Sequence, residues 1–508
     1  MIEALSGALH HIFTVKIFLM IIAGLFGGLL TGALPGLTAT MAVALLVPFT
    51  FTMEPTEGLI VLGAIYMSSI YGGSFSAILV NTPGTPSSIG TTFDGYPMAK
   101  RGEGDRAVLI ATFASVYGGI IGVLFLLFLA PPLAKVALKF GPPEYFWMAV
   151  FGITIISSLA SKNIIKGFIG GAIGLLISTI GIAPIGGDVR FTAGFSQLQG
   201  GIELIVALIG FFCIPEALTM IGQRGKKFHL TEAKRKKGIF LQTFKDVMKK
   251  QGNLLRSSIL GTIVGILPGA GGSIANLVAY NEAVRVSKEP EKFGTGIIDG
   301  IIATESSNNA VVGGGMIPLV TLGIPGAPPD AVLYGVLLLQ GLRPGPELFT
   351  THSHVIYTFI ISLFFATIFM LPVGVIAGKV LHKTVVRLPV RFLAPLIIFL
   401  TIIGSYSIRN NITDVYIMLT LGVLGYILKR LGFHPGPITL GLILGPIGEA
   451  GFVQALLIGE MLPNKWMIFF KSPISWILII LSLLSLSWPL FAKKLAKEWK
   501  VKGDEVEG

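Results

Sequence analysis

The chain has 508 residues, of which 53% are hydrophobic and 13% charged, and its formal net charge is +12. Soluble domains usually carry about 25% charged residues, so this composition excludes an ordinary soluble globular protein. The positive charge concentrates in residues 224–256, which hold eleven Lys/Arg and two acids but lack the aromatic pattern of a base-stacking surface. We therefore expect no nucleic-acid partner.

Apolar runs recur along the chain and are separated by short loops. A membrane span needs about 20 mostly apolar residues, and residues 107–130, 353–377 and 472–490 meet this length. The first run, 15–34, lacks the basic start and small-residue cleavage site of a signal peptide, so we expect it to remain as a span. The sequence predicts an all-α, polytopic transmembrane protein.

The sequence lacks the motifs of common enzymes and metal sites. Cys213 is the only cysteine, which excludes an intramolecular disulfide, and His352 and His354 have no further ligand near them in sequence. The glycine-rich stretch 265–273 lacks the Gly-Lys-Ser/Thr ending of a phosphate-binding loop. We expect no enzyme activity, no metal site and no cofactor.

Several motifs occur twice in the same order, which predicts two internal repeats. Residues 31–36 recur as 264–269, 71–73 and 82–86 recur as 312–314 and 324–328, and 181–184 recur as 432–435, with separations from 233 to 251 residues. The predicted segments are a first repeat (11–222), a basic cytoplasmic loop (223–256), a second repeat (257–462), an additional helix (472–491) and a cytoplasmic tail (492–508).

Loop charges predict that the two repeats are inverted relative to each other. Basic loops favour the cytoplasmic side, which places 162–166 inside and its counterpart 409–411 outside. The loop 131–143 likewise falls outside, whereas its counterpart 381–391 falls inside. Four lysines outside in this scheme count against it, and they are Lys135, Lys139, Lys465 and Lys471. Inverted repeats with broken helices are a common transporter architecture.

Four polar, glycine-rich segments break the apolar pattern at matching places in the two halves. They are residues 34–40, 81–88, 267–276, and 308–315 continuing to 321–326. Pro-Gly cannot continue a helix, and non-helical backbone at membrane depth is tolerated where it is buried in protein or lines a cavity. Each re-entrant break would expose amide N–H groups at the start of a half-helix, which attract anions. Helix packing is the alternative reading of any single Pro-Gly pair.

We therefore predict a substrate site at these breaks, with 81–88 and 321–326 facing each other near the bilayer midplane. The predicted substrate-binding residues are Thr38, Asn81, Thr82, Pro83, Gly84, Thr85, Ser273, Asn276, Asn308, Asn309, Thr321, Gly323, Pro325 and Gly326. A coupling ion, Na⁺ or H⁺, would bind beside them, at the carbonyls of Leu34 and Leu267 or at the membrane acid Glu305. Glu305 could equally flank the start of a helix.

The same segments carry a family resemblance that covers residues 24–459. Residues 31–41, 71–74, 81–88, 93–100, 267–276 and 291–296 resemble the large membrane subunit of tripartite tricarboxylate transporters, the TctA family. The resemblance implies secondary, ion-driven uptake of an organic acid, such as a tri- or dicarboxylate, across the bacterial inner membrane. It also implies two partners, a small membrane subunit and a periplasmic solute-binding protein.

Other classes of protein remain open on the sequence alone. A passive channel would conduct its solute without ion coupling. A membrane-embedded enzyme would need paired catalytic groups, which the motifs do not supply. A scaffold subunit would leave the four polar breaks without a purpose.

Overall fold

The computed structural model describes residues 7, 9, 12–159, 163–222, 238–384 and 390–487. Part of the predicted basic loop (223–237), the end of the additional helix (488–491) and the predicted tail (492–508) lie outside the described residues. In chain order the helices are α1 (Val15–Ala33), α2 (Ala39–Thr50), α3 (Pro55–Val80), α4 (Thr91–Met98), α5 (Gly104–Ala137), α6 (Pro142–Leu159), α7 (Ile164–Ser178), α8 (Leu204–Gly222), α9 (Ile239–Met248), α10 (Gln251–Ile266), α11 (Gly271–Val286), α12 (Ile298–Leu322), α13 (Pro328–Leu339), α14 (Pro346–Thr350), α15 (Ser353–Thr384), α16 (Val390–Arg409), α17 (Ile412–Arg430), α18 (Pro435–Gly459) and α19 (Pro473–Ser487).

Seven helical stretches in the described part of the chain are long and apolar enough to cross a membrane. They are α1, α3, α4 continuing into α5, α8, α15, α17 and α18. Shorter apolar helices accompany them, among them α2, α7, α13 and α19. The prediction of an all-α, polytopic membrane protein is confirmed.

The chain forms two compact units, and each takes residues from both predicted repeats. The first unit comprises residues 1–138 and 203–427, and the second comprises 139–202 and 428–508. The compact units therefore group the chain differently from the linear segments predicted from sequence. Those segments stay a prediction about where the repeats begin and end.

Helices of the first unit stop at the predicted breaks for the same local reasons in both halves. α1 ends before Leu34-Pro35-Gly36 and α10 ends before Leu267-Pro268-Gly269. Gly36 and Gly269 have φ of 96° and 79°, a left-handed region that glycine enters without steric cost. α3 and α12 also end in left-handed caps, at Asn81 and Gly323. Glycine and asparagine are the residues that favour this helix-ending geometry.

Glycine-to-backbone packing follows the same pattern in the two halves. In the first half, side chains added at Gly28 and Gly32 of α1 would overlap carbonyl oxygens of α3. In the second half, side chains added at Gly261 and Gly265 of α10 would overlap carbonyl oxygens of α12. The contacted carbonyls are Ile65 and Ser69 in α3 and Ser307 and Val311 in α12. Small residues of this kind let membrane helices approach backbone to backbone.

A third glycine completes the correspondence and fixes its register. A Cβ on Gly84 would lie 2.9 Å from Gly73 Cα, and one on Gly326 would lie 2.8 Å from Gly315 Cα. Gly73 thus matches Gly315, one residue later than the sequence comparison placed it. The matched packing supports the internal repeat, and its inverted orientation across the bilayer stays a prediction.

The second unit is built mainly from α6, α7, α18 and α19. α18 packs against both α6 and α7, and the Ser475 hydroxyl of α19 donates to Glu144 Oε1 at 3.0 Å. A two-residue antiparallel pairing joins β1 (Gly181–Ile182) to β2 (Val189–Arg190). Arg190 of β2 forms an ion pair with Glu449 of α18, which ties this hairpin to the helix.

Candidate functional site

Two crossed contacts join the halves of the first unit at the breaks. The short turn Pro86–Ser88, in the second break of the first half, packs against α11, which follows the first break of the second half. In return α13, which follows the break at 321–326, packs against α2, which follows the break at 34–36. The second break of the first half and the helix that follows the second break of the second half thus each contact a helix of the other half. A direct approach of 81–88 to 321–326 stays a prediction.

Asn276 of α11 stabilises the first of these two contacts, the one between the segment around Pro86–Ser88 and α11. Its side-chain Oδ1 accepts a hydrogen bond from Gly90 N at 2.8 Å, and its Nδ2 donates to the Thr304 carbonyl oxygen of α12 at 3.2 Å. Asn276 and Thr304 are fully buried. Both ends of this amide are therefore satisfied within the protein, and Asn276 positions the segment around it.

Glu305 directly follows Thr304 in α12, and its side chain links three helices. Its carboxylate accepts hydrogen bonds from Thr91 of α4 and, at 3.0 Å, from Ser115 of α5. All three side chains are fully buried or nearly so. One hydroxyl donates to each carboxylate oxygen, so both oxygens have a hydrogen-bond partner. Its place is inside α12, and it does not flank a helix start.

Asn308 has a different environment from Asn276, because its amide is fully buried and unsatisfied. Neither its Nδ2 nor its Oδ1 has a hydrogen-bond partner among the described residues. A Cβ added to Gly272 would lie 2.9 Å from Asn308 Oδ1 and 2.7 Å from Ser87 Cβ. Asn308 and Ser87 therefore converge on the bare backbone of Gly272 in the first turn of α11. An unsatisfied buried polar group costs about 1–3 kcal/mol, and this amide keeps a donor and an acceptor that the described protein does not use.

The start of α11 also lacks a side-chain cap. Ala270 precedes the helix and supplies no side-chain acceptor, although the first N–H groups of any helix have no partner inside it. At the related helix starts, Thr38 caps α2 by accepting from Met41 N at 3.2 Å, and Asp330 accepts from Ala327 N at 2.7 Å ahead of α13. The uncapped start of α11, with Asn308 and Ser87 beside it, can therefore receive an anion.

Asn309 and the remaining predicted residues take part in local structure to differing degrees. Asn309 Nδ2 donates to Met67 O at 3.3 Å, and its buried Oδ1 has no partner in the described chain. Thr85 and Ser87 share a hydroxyl hydrogen bond of 3.0 Å, and Thr321 donates to Ile317 O within its own helix. Gly84 N donates to Gly73 O at 3.2 Å, which holds the break at 81–88 against α3.

The other predicted positions lie at the edges of the breaks. Asn81 is exposed, Thr82, Pro83 and Ser273 are half-buried, and Gly323, Pro325 and Gly326 are buried. The carbonyl oxygens of Leu34 and Leu267, predicted to bind Na⁺, accept hydrogen bonds from Leu37 N and Ala270 N at 3.2 Å each. One lone pair on each of these carbonyls is thus already used within the protein.

Two acids were not predicted from the sequence as site residues. Asp330 is fully buried at the start of α13, and its Oδ1 has no hydrogen-bond partner in the described part of the chain. Asp94, also fully buried, accepts from two backbone N–H groups ahead of α12 and from the Tyr280 hydroxyl. The available signal for Asp330 was an acid inside the apolar run 327–339, directly after Pro328 and Pro329.

Comparisons with known proteins identify the family of the chain. The sequence profile of the "Tripartite tricarboxylate transporter TctA family" matches residues 18–440. An Agrobacterium vitis protein described as "Uncharacterized 52.8 kDa protein in TAR-I ttuC' 3'region" is 36% identical over 483 residues, which cover 95% of each chain. A second Agrobacterium vitis protein, "Uncharacterized protein in TAR-II ttuC' 3'region", is 37% identical over 201 residues, or 39% of this chain and 82% of its own. No solved structure matches the chain.

Proposed function

Because the chain belongs to the tripartite tricarboxylate transporter TctA family, we propose that it forms the transport pathway for an organic acid in an ion-coupled importer. In this role it is a transporter and not an enzyme, and it works in the bacterial inner membrane. A small membrane subunit and a periplasmic solute-binding protein complete the system. The tripartite description of the family supports these partners, and the apolar helices support a multi-pass membrane protein.

The unsatisfied amide of Asn308 beside the uncapped start of α11 is the observation that carries this proposal. A carboxylate placed there would accept hydrogen bonds from Asn308 Nδ2, from backbone N–H groups of α11 and from the Ser87 hydroxyl. These donors are neutral, so they bind an anion without holding it as strongly as a lysine or arginine would. A transporter needs this balance, because its substrate must also leave.

Tri- and dicarboxylates suit the proposed site because they offer more than one carboxylate. One carboxylate would occupy the α11 start, and Ser273 in the first turn and Thr85 at the break would contact other substrate oxygens. Leading substrate to the site is the proposed task of the solute-binding protein. We accordingly propose that uptake at micromolar substrate depends on that separate protein.

The test is uptake into proteoliposomes that contain the chain, with and without the proposed small subunit and binding protein. Radiolabelled citrate, succinate and benzoate serve as probes, with imposed Na⁺ or pH gradients. The proposal expects uptake of at least one acid that needs the partners and a gradient. Gradient-independent flux would indicate a passive channel, and full-affinity transport by the chain alone would contradict dependence on a binding protein.

Asn308→Ala tests the proposed site itself. A hydrogen bond to a charged group contributes about 1.5–3 kcal/mol, so its loss should weaken substrate binding about tenfold or more. Membrane abundance should stay unchanged, because the wild-type amide has no partner within the described chain to lose. Asn464→Ala is the matched control, since Asn464 is exposed and caps a short turn of the second unit. Unchanged uptake by Asn308→Ala would refute the site.

A further inference from the structure

Asp330 is a buried acid whose negative charge is not compensated by a cation. None of the ion pairs formed by the described residues includes it, although its side chain is fully buried. Its Oδ2 accepts from Ala327 N at 2.7 Å, and its Oδ1 has no partner in the described chain. A charged carboxylate left in this state is costly, so such acids in membranes pair, protonate or bind an ion.

The Asp330 carboxylate is surrounded by groups without a positive charge. The carboxylate lies against the bare backbone of two glycines, because a Cβ on Gly315 would overlap it and a Cβ on Gly326 would lie 3.3 Å from its Oδ2. The hydroxyl of the buried Tyr66, on α3, faces the same carboxylate. α2, α8 and α12 also pack against α13, and among the described residues Tyr66 is the one titratable side chain acting on Asp330.

In the comparison of the two halves, this acid is the counterpart of a residue beside the proposed anion site. The Asp330 carboxylate lies against Gly315, and the Ser88 hydroxyl lies against Gly73. Asp330 and Ser88 therefore occupy equivalent positions in the two halves, 242 residues apart. The same offset pairs Tyr66 with Asn308. One crossing therefore holds a neutral amide and hydroxyls, whereas its counterpart holds a carboxylate and a phenol. The first chemistry suits an anion and the second suits a cation.

From this relation we infer that Asp330, together with Tyr66, forms the binding site for the monovalent cation, a proton or Na⁺, that drives transport. The inference rests on the proposed function. Binding the cation neutralises the buried carboxylate, and releasing it restores the charge, so the two states of the site differ in electrostatic energy. Glu305 is the less suitable acid, because both of its oxygens already accept from hydroxyl groups.

A capping role alone is the competing explanation, and Asp330→Asn separates the two. The amide oxygen of asparagine can still accept from Ala327 N, so the start of α13 keeps its cap, whereas the charge is removed. Glu57→Gln is the matched control, because it makes the same acid-to-amide change at a buried carboxylate that is already paired with Lys16. Tyr66→Phe provides a second variant that removes one oxygen and keeps the ring.

The first experiment measures cation binding without any substrate. Thermal unfolding of the purified chain is followed in detergent over a range of NaCl, with KCl as the ionic-strength control, and over a range of pH. A cation that binds the folded state raises the midpoint temperature by mass action. The midpoint temperature of the wild type and of Glu57→Gln should respond to Na⁺ or to pH. Asp330→Asn should lack this response, and Tyr66→Phe should show it only at about tenfold higher cation concentration. An Asp330→Asn response identical to wild type would overturn the inference.

The second experiment measures coupling in proteoliposomes with an acid that the wild type transports. Asp330→Asn should lose about tenfold or more of gradient-driven accumulation at normal membrane abundance, whereas Glu57→Gln should accumulate the acid as the wild type does. The Na⁺ and pH arms then identify the ion. Accumulation by Asp330→Asn equal to wild type, or an equal loss in Glu57→Gln at normal abundance, would each contradict the assignment. If no acid is transported by the wild type, the proposed function fails, and the thermal response still tests cation binding.

Discussion

The carboxylate of Asp94 accepts a hydrogen bond from Gly296 N at 2.7 Å across 202 residues of sequence. The same oxygen accepts from Ile297 N at 2.9 Å, and the other oxygen accepts from the Tyr280 hydroxyl. Arg101, a short distance along the chain, donates to the Thr295 and Gly296 carbonyl oxygens. Two motifs that were recognised separately in the sequence, 93–100 and 291–296, are thus one structural element that anchors the start of α12.

Replacing Asp94 should destabilise the protein. Asp94→Ala leaves two half-buried backbone N–H groups and the buried Tyr280 hydroxyl without their acceptor, and a fully buried unsatisfied donor costs about 1–3 kcal/mol. Asp94→Asn keeps one acceptor oxygen for the N–H groups and should lose less. The measurement is the midpoint of thermal unfolding in detergent together with membrane abundance. Asp188→Ala, at an exposed position of the second unit, is the control, and equal effects of Asp94→Ala and Asp188→Ala would contradict the anchoring role.

The glycine contacts lead to a prediction about packing at the breaks. A methyl group at Gly84 would overlap the Gly32 carbonyl oxygen, and one at Gly326 would overlap that of Gly265. Gly84→Ala and Gly326→Ala should therefore both lower the yield of folded protein. Gly27→Ala should be neutral or stabilising by about 0.5–1 kcal/mol, because a Cβ there meets nothing within 4 Å and alanine favours the helix. Fluorescence-detected size-exclusion chromatography compares the three, and normal yields of both break variants would disprove the packing argument.

Glu305 should tolerate an amide and not an apolar residue. In Glu305→Gln the hydroxyls of Thr91 and Ser115 can rotate to donate to the amide oxygen or to accept from the amide nitrogen, so folded abundance and gradient-driven uptake should persist. Glu305→Ala removes both acceptors and should reduce abundance. Loss of ion dependence in Glu305→Gln, at wild-type abundance, would transfer the coupling role from Asp330 to Glu305.

The inverted orientation leads to a prediction of sidedness. Single cysteines are introduced into a Cys213→Ser background, which the fold should accept because serine is slightly smaller than the buried cysteine. Asn410→Cys, in the exposed turn between α16 and α17, should react with a membrane-impermeant maleimide from the periplasmic side. Lys100→Cys, also exposed, should react from the cytoplasmic side. Labelling of both positions from one side would contradict the predicted topology.

Sequence patterns predicted the features of this fold that depend on local chemistry. Apolar runs gave the spans, and Pro-Gly pairs predicted the breaks at Gly36 and Gly269, because those residues end a helix wherever it packs. The contacts between the two halves at the second breaks could not be predicted in this way. They depend on pairs that are distant in sequence, such as Gly90 and Asn276, which are 186 residues apart.

For the candidate site, the sequence likewise predicted residues from local chemistry but could not predict their tertiary contacts. Asn308 was predicted because it lies in one of the four polar, glycine-rich segments, but its lack of hydrogen-bond partners among the described residues became visible only once its neighbours were known. Asn276 carried the same sequence signal and proved to be satisfied at both ends. Asp330 was overlooked because an acid in the first turn after Pro-Pro is also an ordinary helix start. Its significance comes from burial and from the glycines beside it, which are tertiary properties.

The link from Glu305 to Ser115 also bears on how the protein is made. Ser115 leaves the ribosome 190 residues before Glu305, which at 5–20 residues per second is a delay of roughly 10–40 s. During that interval α5 is in or near the membrane without the helix that later receives its hydroxyl. The first unit cannot close until residues up to 427 have been synthesised. Nascent chains halted before α12 should therefore be more susceptible to membrane proteases than chains halted after it.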